Sequence, residues 1–309
     1  MLKQRVIWGY PLGALAIAVV GYSDLLLYFT LLAGATWLMI EFYQLTGLRS
    51  ERKWFPMRRW GYILGIAILT LVYFNQLQYL DLTIVVFITA AFIYRMANFH
   101  GKSDGFLREL AISILGGIYI GGFLSYFLRL KHLGILLREA QVIPLGSEWL
   151  AGIPLIGSVL ENAGWTTGTG IMAQGPNWLI LLPFLGSWGY DFSAYFTGRL
   201  LGKTKLAPSI SPNKTIEGMV GGVIGCGTAI VMMAWWIGVD PKYFLFLFVL
   251  GMILGTFSQL GDLCISSIKR EAGAKDSSEH IIPGHGGIFD KCDGLLFVLP
   301  VCFYMIYFT

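Results

Sequence analysis

Apolar residues run through this chain in long blocks separated by short polar stretches. A helix needs about 20 mostly apolar residues to cross the hydrocarbon of a bilayer, at roughly 1.5 Å of rise per residue. Blocks of that kind predict helices at 6–21, 24–46, 60–76, 80–98, 107–128, 177–198, 216–238, 242–265 and 293–309. The expected fold class is therefore all-α: a polytopic helical membrane protein with about nine transmembrane helices. The first block is the most interrupted, by Gly9, Tyr10 and Pro11. No small-residue cleavage site follows it, so it reads as a retained span rather than a signal peptide.

Charge placement orients these spans. Cytoplasmic loops collect Lys and Arg. With Lys3 and Arg5 inside, the loop after the second span is also inside and holds Arg49, Arg52, Lys53, Arg58 and Arg59. The inside loops that follow carry Arg95, Lys102 and Arg108, then Arg199, Lys203, Lys205 and Lys214, then Lys269, Arg270, Lys275 and Lys291. The short connections at 22–23, 77–79 and 239–241 fall outside and carry little charge. This pattern predicts a cytoplasmic N-terminus and an external C-terminus. It divides the chain into N-terminal transmembrane helices (1–130), an external loop (131–176) and a C-terminal catalytic transmembrane region with cytoplasmic loops (177–309). The Gly-rich stretch 129–176 is too broken for a span, and Trp149 to Leu160 suits the membrane interface.

Composition agrees with the pattern. Hydrophobic residues make up 56% of the 309 and charged residues 13%, against about 25% charged in soluble domains. Mean hydropathy is +0.67. A net charge of +4 is accounted for by the inside loops and calls for no nucleic-acid partner. Trp8, Trp54 and Trp60 read as interface anchors, and the basic loop Arg49–Arg59 as a topology signal that also attracts anionic lipid. Gly116, Gly117, Gly121 and Gly122, and Gly218, Gly221, Gly222 and Gly225, suit close helix packing. Cys226, Cys264, Cys292 and Cys302 form no C-x-x-C pair, so neither a zinc site nor a disulfide framework is signalled. Cys226 and Cys302, in apolar runs, read as small packing residues.

Polar chemistry gathers in two inside stretches of the C-terminal half. The first runs from Gly189 through Asp191, Tyr195, Arg199 and Lys203 to Ser211-Pro212-Asn213-Lys214-Thr215-Ile216-Glu217-Gly218. The second holds Asp262, Ser266-Ser267-Ile268-Lys269-Arg270, Lys275-Asp276 and Pro283-Gly284-His285-Gly286-Gly287-Ile288-Phe289-Asp290-Lys291-Cys292-Asp293. Asp191 and Asp262 lie within apolar helices, where an ionisable group is a functional candidate by default and a structural ion pair is the bland alternative. Asp262, Asp290 and Asp293 are hard oxygen donors suited to Mg²⁺. Lys214, Lys269, Arg270 and Lys275 can hold phosphate oxygens. Gly284, Gly286 and Gly287 let backbone N–H groups approach an anion. Acids, bases and a Gly-rich turn together are what a nucleoside triphosphate with its metal requires.

These stretches resemble the phosphatidate cytidylyltransferase (CDP-diacylglycerol synthase) family over roughly residues 186–300. The stretch from Ser266 to Asp293 is similar to that family's signature, Ser-x-apolar-Lys-Arg, four residues, Lys-Asp, then Pro-x-His-Gly-Gly-apolar-x-Asp-Arg-apolar-Asp. The earlier stretch matches in its Asp-x-x-Ala-Tyr, Gly-Arg, Lys-Leu-Ala-Pro and Ser-Pro-x-Lys-Thr-x-Glu-Gly elements. Departures are one extra residue between Asp276 and Pro283, Lys291 for Arg, Cys292 for an apolar residue, and Phe192 for a small one. Lysine cannot make the planar two-pronged contact of a guanidinium.

The resemblance implies transfer of a cytidylyl group from CTP to phosphatidic acid, releasing pyrophosphate. It implies Asp262, Asp290, Lys214, Lys269 and Arg270 as catalytic groups, and Asp262, Asp290 and Asp293 as metal ligands for one Mg²⁺ or two cations. Asp191, Tyr195, Ser211, Thr215, Lys275, Asp276, His285, Gly286, Gly287 and Lys291 are the expected substrate contacts. For Ser211 and Thr215 capping of the helix near Ile216 is the alternative, and for His285 a turn-stabilising hydrogen bond. Expected partners are CTP, phosphatidic acid and membrane lipid, with a homodimer left open and no nucleic acid. The expected location is the bacterial inner membrane, with the site on the cytoplasmic side. Rival functions are a CTP-dependent polyprenol or phytol kinase, a cytidylyltransferase for another lipid phosphate, a cation-coupled transporter, and an inactive homologue acting as a scaffold.

Overall fold

The computed structural model describes residues 24–47, 58–97, 106–139, 178–237, 239, 241–274, 277 and 287–308. Nine α-helices appear among them: α1 (Asp24–Gly47), α2 (Arg58–Tyr73), α3 (Leu80–Ala97), α4 (Phe106–Gly116), α5 (Phe123–Glu139), α6 (Leu181–Leu201), α7 (Ile216–Ile237), α8 (Phe244–Glu271) and α9 (Phe289–Tyr307). A π-helical turn, Gly117–Gly122, joins α4 to α5, so the expected block 107–128 is one long element with a wide turn inside it. It continues through Glu139, into the stretch expected as external loop. Each expected block from 24–46 onward coincides with helix, while 6–21 and Trp149 to Leu160 lie outside the described residues. Five stretches, Asp24–Gly47, Leu77–Ala97, Leu107–Leu133, Ile216–Trp236 and Pro241–Glu271, are long and apolar enough to cross a membrane. The chain is an all-α integral membrane protein, and among the described residues it has one small addition that the apolar pattern did not predict: an antiparallel hairpin, β1 (Lys205–Ala207) with β2 (Ser211–Thr215).

Contacts divide the chain into two units that are not contiguous in sequence. One combines Asp24–Leu128 with Ser267–Cys292. One buried cluster within it is Leu64, Ile68, Phe87, Ala91 and Leu110. The buried Tyr43 hydroxyl donates to the Ser113 carbonyl at 3.0 Å, which ties α1 to α4. The π turn brings glycines against α2: a Cβ on Gly117 would stand 3.0 Å from the Gly61 carbonyl oxygen, and one on Gly121 2.5 Å from the Gly65 Cα. Backbones meet there, as the small-residue spacing predicts. Gly121→Val is expected to lower stability by about 1–3 kcal/mol through overpacking, read as a lower thermal midpoint in detergent. Gly34→Ala, at a position with nothing within 4 Å, is the control and leaves the midpoint unchanged or slightly higher.

The second unit combines Arg129–Ser266 with Asp293–Thr309. Here α6 and α7 lie against each other along their length. Gly221 faces Thr197, Gly222 faces Tyr190 and Ala194, and Gly225 faces Ser193. On the other side of α6, Gly186 faces Leu254 of α8 and Val298 of α9. Cys226 and Cys302 are fully buried packing residues, as expected, and the Cys226 thiol donates to the Gly186 carbonyl at 3.3 Å.

Candidate active site

Lys214 is placed by the hairpin. The Ile210 N–H donates to the Ala207 carbonyl at 3.1 Å, closing a turn with Pro208 at its second position, where the ring's fixed φ is already correct. Lys205 then pairs with Thr215 and Ala207 with Ser211. Thr215 caps α7 by accepting the Gly218 N–H on its Oγ1 at 3.1 Å. Ser211 sits in β2 instead and does not serve as that cap. Glu217, in the first turn of α7, accepts the Lys203 N–H at 3.0 Å and the Thr204 N–H at 3.1 Å. The Ser-Pro-x-Lys-Thr-x-Glu-Gly motif is thus a device that fastens a short hairpin to a helix start. Thr215→Ala is expected to cost about 1 kcal/mol of stability through the lost cap, measurable by thermal unfolding.

The Lys214 ammonium forms an ion pair with Asp262 Oδ2, and the two side chains are 21% and 26% exposed. The other oxygen of Asp262 accepts the Ser266 hydroxyl at 3.1 Å. Asp262 and Ser266 follow at i and i+4 along α8, which puts them on one helix face. In the same unit the Tyr190 hydroxyl donates to Gln259 Oε1, both groups buried. Asp191 and Tyr195 share a face of α6 and are exposed. The Tyr195 hydroxyl accepts from the Arg199 guanidinium at 3.2 Å. At the start of the apolar stretch 293–309, Asp293 Oδ1 accepts the Gly294 N–H at 2.7 Å.

Asp290 lies in the other unit and carries the second pair. The Lys269 ammonium donates to its Oδ1 at 2.8 Å, with the side chains 11% and 14% exposed. Its Oδ2 accepts the Ser277 N–H at 2.9 Å and the Gly287 N–H at 3.2 Å. Burial pushes this carboxyl up. The hydrogen bonds from Lys269, Ser277 and Gly287, with the Lys269 charge, outweigh burial and hold it below the ordinary carboxylate value. Arg270, at the end of α8, donates to the Ala274 carbonyl at 3.0 Å and is exposed, as is Lys291. The expected contacts Lys275, Asp276, His285 and Gly286 lie outside the described residues. Gly287 is buried and spends its N–H on Asp290.

One residue of this region was missed in the sequence. Glu41, near the end of α1, is fully buried and accepts hydrogen bonds from Trp37 Nε1, Ser277 Oγ, and the N–H groups of Ile288 and Phe289 at 2.9–3.0 Å. The signal was available: Glu41 is the one charged residue in the apolar block after Asp24, the same criterion that singled out Asp191 and Asp262.

The acids fit a hard cation by donor chemistry, since they offer carboxylate oxygens and no sulfur or imidazole. Among the described residues no group of three or more His, Cys, Asp or Glu converges. Asp262 and Asp290 each instead hold a lysine ammonium, a cation of the protein's own.

The cytidylyltransferase family profile matches residues 3–309, nearly the whole chain. The chain belongs to the cytidylyltransferase family. Within that family it is similar to a phosphatidate cytidylyltransferase of Synechocystis sp., 36% identical over 203 residues, covering 65% of this chain and 63% of the relative. A phosphatidate cytidylyltransferase of Staphylococcus saprophyticus is 52% identical over 123 residues, covering 40% of this chain and 46% of the relative. One from Rickettsia bellii is 32% identical over 223 residues, covering 67% of this chain and 94% of the relative. The matches to the first two cytidylyltransferases span less than two thirds of those relatives' length.

Proposed function

We propose that this protein is a phosphatidate cytidylyltransferase, converting CTP and phosphatidic acid to CDP-diacylglycerol and pyrophosphate. Family membership supports this. The observation that carries it is that two of the motif carboxylates each hold a motif lysine, Lys214 with Asp262 and Lys269 with Asp290. A reaction between two polyanions needs such groups more than it needs a base. A phosphate monoester has its second pKa near about 6, so phosphatidic acid presents a nucleophilic oxygen at neutral pH unaided. That oxygen bonds to the α-phosphorus of CTP, the bond from this phosphorus to the bridging oxygen breaks, and pyrophosphate leaves with the electron pair.

The protein's part is to offset repulsion and align the two phosphates. Lys214, Lys269, Arg270 and Lys275 hold phosphate oxygens of CTP and lipid. Asp262 and Asp290 hold two of those lysines until substrate takes their place. Asp262, Asp290 and Asp293 are the residues that would hold Mg²⁺, whether one ion or two. When bound, Mg²⁺ supplies charge neutralisation on the triphosphate and on the leaving pyrophosphate. Asp191, Tyr195, Ser211, Thr215, Asp276, His285, Gly286, Gly287 and Lys291 complete the proposed substrate surroundings. Of these, Thr215 and Gly287 act through the backbone they fix, by the bonds described above.

The proposed topology is nine spans with the N-terminus in the cytoplasm, the C-terminus outside, and the reaction at the cytoplasmic face of the inner membrane. The acyl chains then stay in lipid while the headgroup meets CTP. The deciding experiment incubates purified protein in detergent with labelled CTP, Mg²⁺ and phosphatidic acid. CDP-diacylglycerol and pyrophosphate are expected. CDP with a newly phosphorylated lipid would make the protein a kinase instead.

A further inference from the structure

Glu41 is a carboxylate at 0% exposure in a helix whose only other charged residue is Asp24. Left without partners, a buried charge costs several kcal/mol. Glu41 has four, all donors, which is the complement of an acceptor-only carboxylate. Trp37, one turn earlier on α1, donates its indole N–H to Oε1 at 3.0 Å and orients the group. The other three donors come from the segment that carries Asp290. The Ile288 N–H reaches Oε1 at 3.0 Å, and the Phe289 N–H reaches Oε2 at 2.9 Å. Both belong to the start of α9, where a helix leaves its N–H groups unsatisfied and favours negative charge. The Ser277 hydroxyl also reaches Oε2, at 2.9 Å.

Two carboxylates therefore grip the same two pieces of chain. Ser277 gives its N–H to Asp290 and its hydroxyl to Glu41. At the start of α9, Gly287 gives its N–H to Asp290, and the next two residues give theirs to Glu41. Gly287 is required by the closeness of this arrangement, since a Cβ there would collide with Ser277 Oγ and the Glu41 carboxyl. The ring of Phe289 completes it, fully buried, 6.0 Å from Phe42 and 6.4 Å from Tyr119.

We propose that Glu41 is a positioning residue for cytidylyl transfer: by holding Ser277 and the first turn of α9, it keeps Asp290 aimed at Lys269. This rests on the transferase function proposed above. It gives α1 a part in positioning the catalytic groups, and it assigns the N–H groups of Ile288 and Phe289 at the start of α9 to the protein's own carboxylate rather than to a substrate phosphate.

The test compares Glu41→Gln, Ser277→Ala and the unaltered protein in detergent. Hydrogen exchange is followed over 287–293, and kcat and KM for CTP are measured per folded molecule. Glu41→Gln keeps the shape but turns an amide N–H₂ toward groups that are themselves donors. It is expected to speed exchange at Ile288 and Phe289 at least about tenfold and to lower kcat about a hundredfold, the cost of a misplacement near 1 Å, with KM for CTP changed less than about threefold. Ser277→Ala removes one donor and shifts both readouts the same way by less; it decides the matter if Glu41→Gln fails to fold. Protection at 288–289 and kcat per folded molecule both unchanged in the folded variant would overturn the proposal. So would a kcat loss that only follows the folded fraction. If the unaltered protein makes no CDP-lipid, the transferase function falls and the catalytic role of Glu41 with it, while the exchange data still decide whether Glu41 holds the turn.

Discussion

Asp290→Asn is expected to lower cytidylyl transfer at least about a hundredfold, the scale on which a preorganised charged group at a reacting centre is felt, while the helices still insert. Asp290 does three things through two oxygens: it accepts from Lys269, from Ser277 and from Gly287. Asparagine keeps one acceptor and replaces the other with a donor, which must face either an ammonium or a backbone N–H. The Lys269 charge, 11% exposed, is then left without its counterion, and leaving one side of such a part-buried pair unmatched costs about 1–3 kcal/mol. Both effects are measurable, one by labelled-CTP transfer and the other by thermal unfolding. The pH dependence has a definite sign. The folded pKa of Asp290 lies below its ordinary value, so the stabilisation is complete above the unfolded carboxylate pKa of about 4 and is lost as pH falls through the lower, folded one. Unfolding on acidification should therefore be less steep in Asp290→Asn. Normal turnover in this variant would remove Asp290 from the mechanism.

Lys214→Met is the second large expected effect, again at least about a hundredfold in turnover. Its interpretation comes from a cycle with Asp262→Asn. If the ion pair only fastened β2 to α8, removing both charges would relieve the buried mismatch that each single change leaves, and activity would return. If each side chain also handles phosphate or metal, the double variant stays as inactive as the singles. The second outcome is expected, with thermal stability of the double variant recovering while its activity does not. Such a split between stability and turnover separates a chemical role from a structural one. Recovery of activity in the double variant would show that Lys214 and Asp262 serve the fold alone.

The sequence made the helices easy to read and their partners hard. Blocks from 24–46 to 293–309 were legible because twenty apolar residues leave little choice beyond a helix in lipid. The four charged residues of the two pairs were legible as candidates because Lys214, Asp262, Lys269 and Asp290 sit in spaced motifs. Which lysine meets which carboxylate was not, since nothing in one dimension brings residue 214 to 262. The hairpin was hidden because Pro208, Ser209, Pro212 and Asn213 read as loop, and strands of three and five residues carry no alternation to detect. The π turn was hidden because its extra residue per turn changes geometry without changing composition. Glu41 was overlooked for a different reason. Its partners Ser277, Ile288 and Phe289 are 236–248 residues away in sequence, and two of them contribute backbone N–H groups that any residue type would supply.

The seam between α6 and α7 has a bearing on how such a protein moves. Where Gly221, Gly222 and Gly225 admit Thr197, Tyr190 and Ser193, one helix cannot slide or swivel on the other without lifting side chains out of sockets. That pair is a stiff strut, and the hairpin fastened to its end inherits the stiffness. Rearrangement within this unit is therefore expected away from the α6–α7 seam, and the hairpin that carries Lys214 is expected to keep its place at the start of α7.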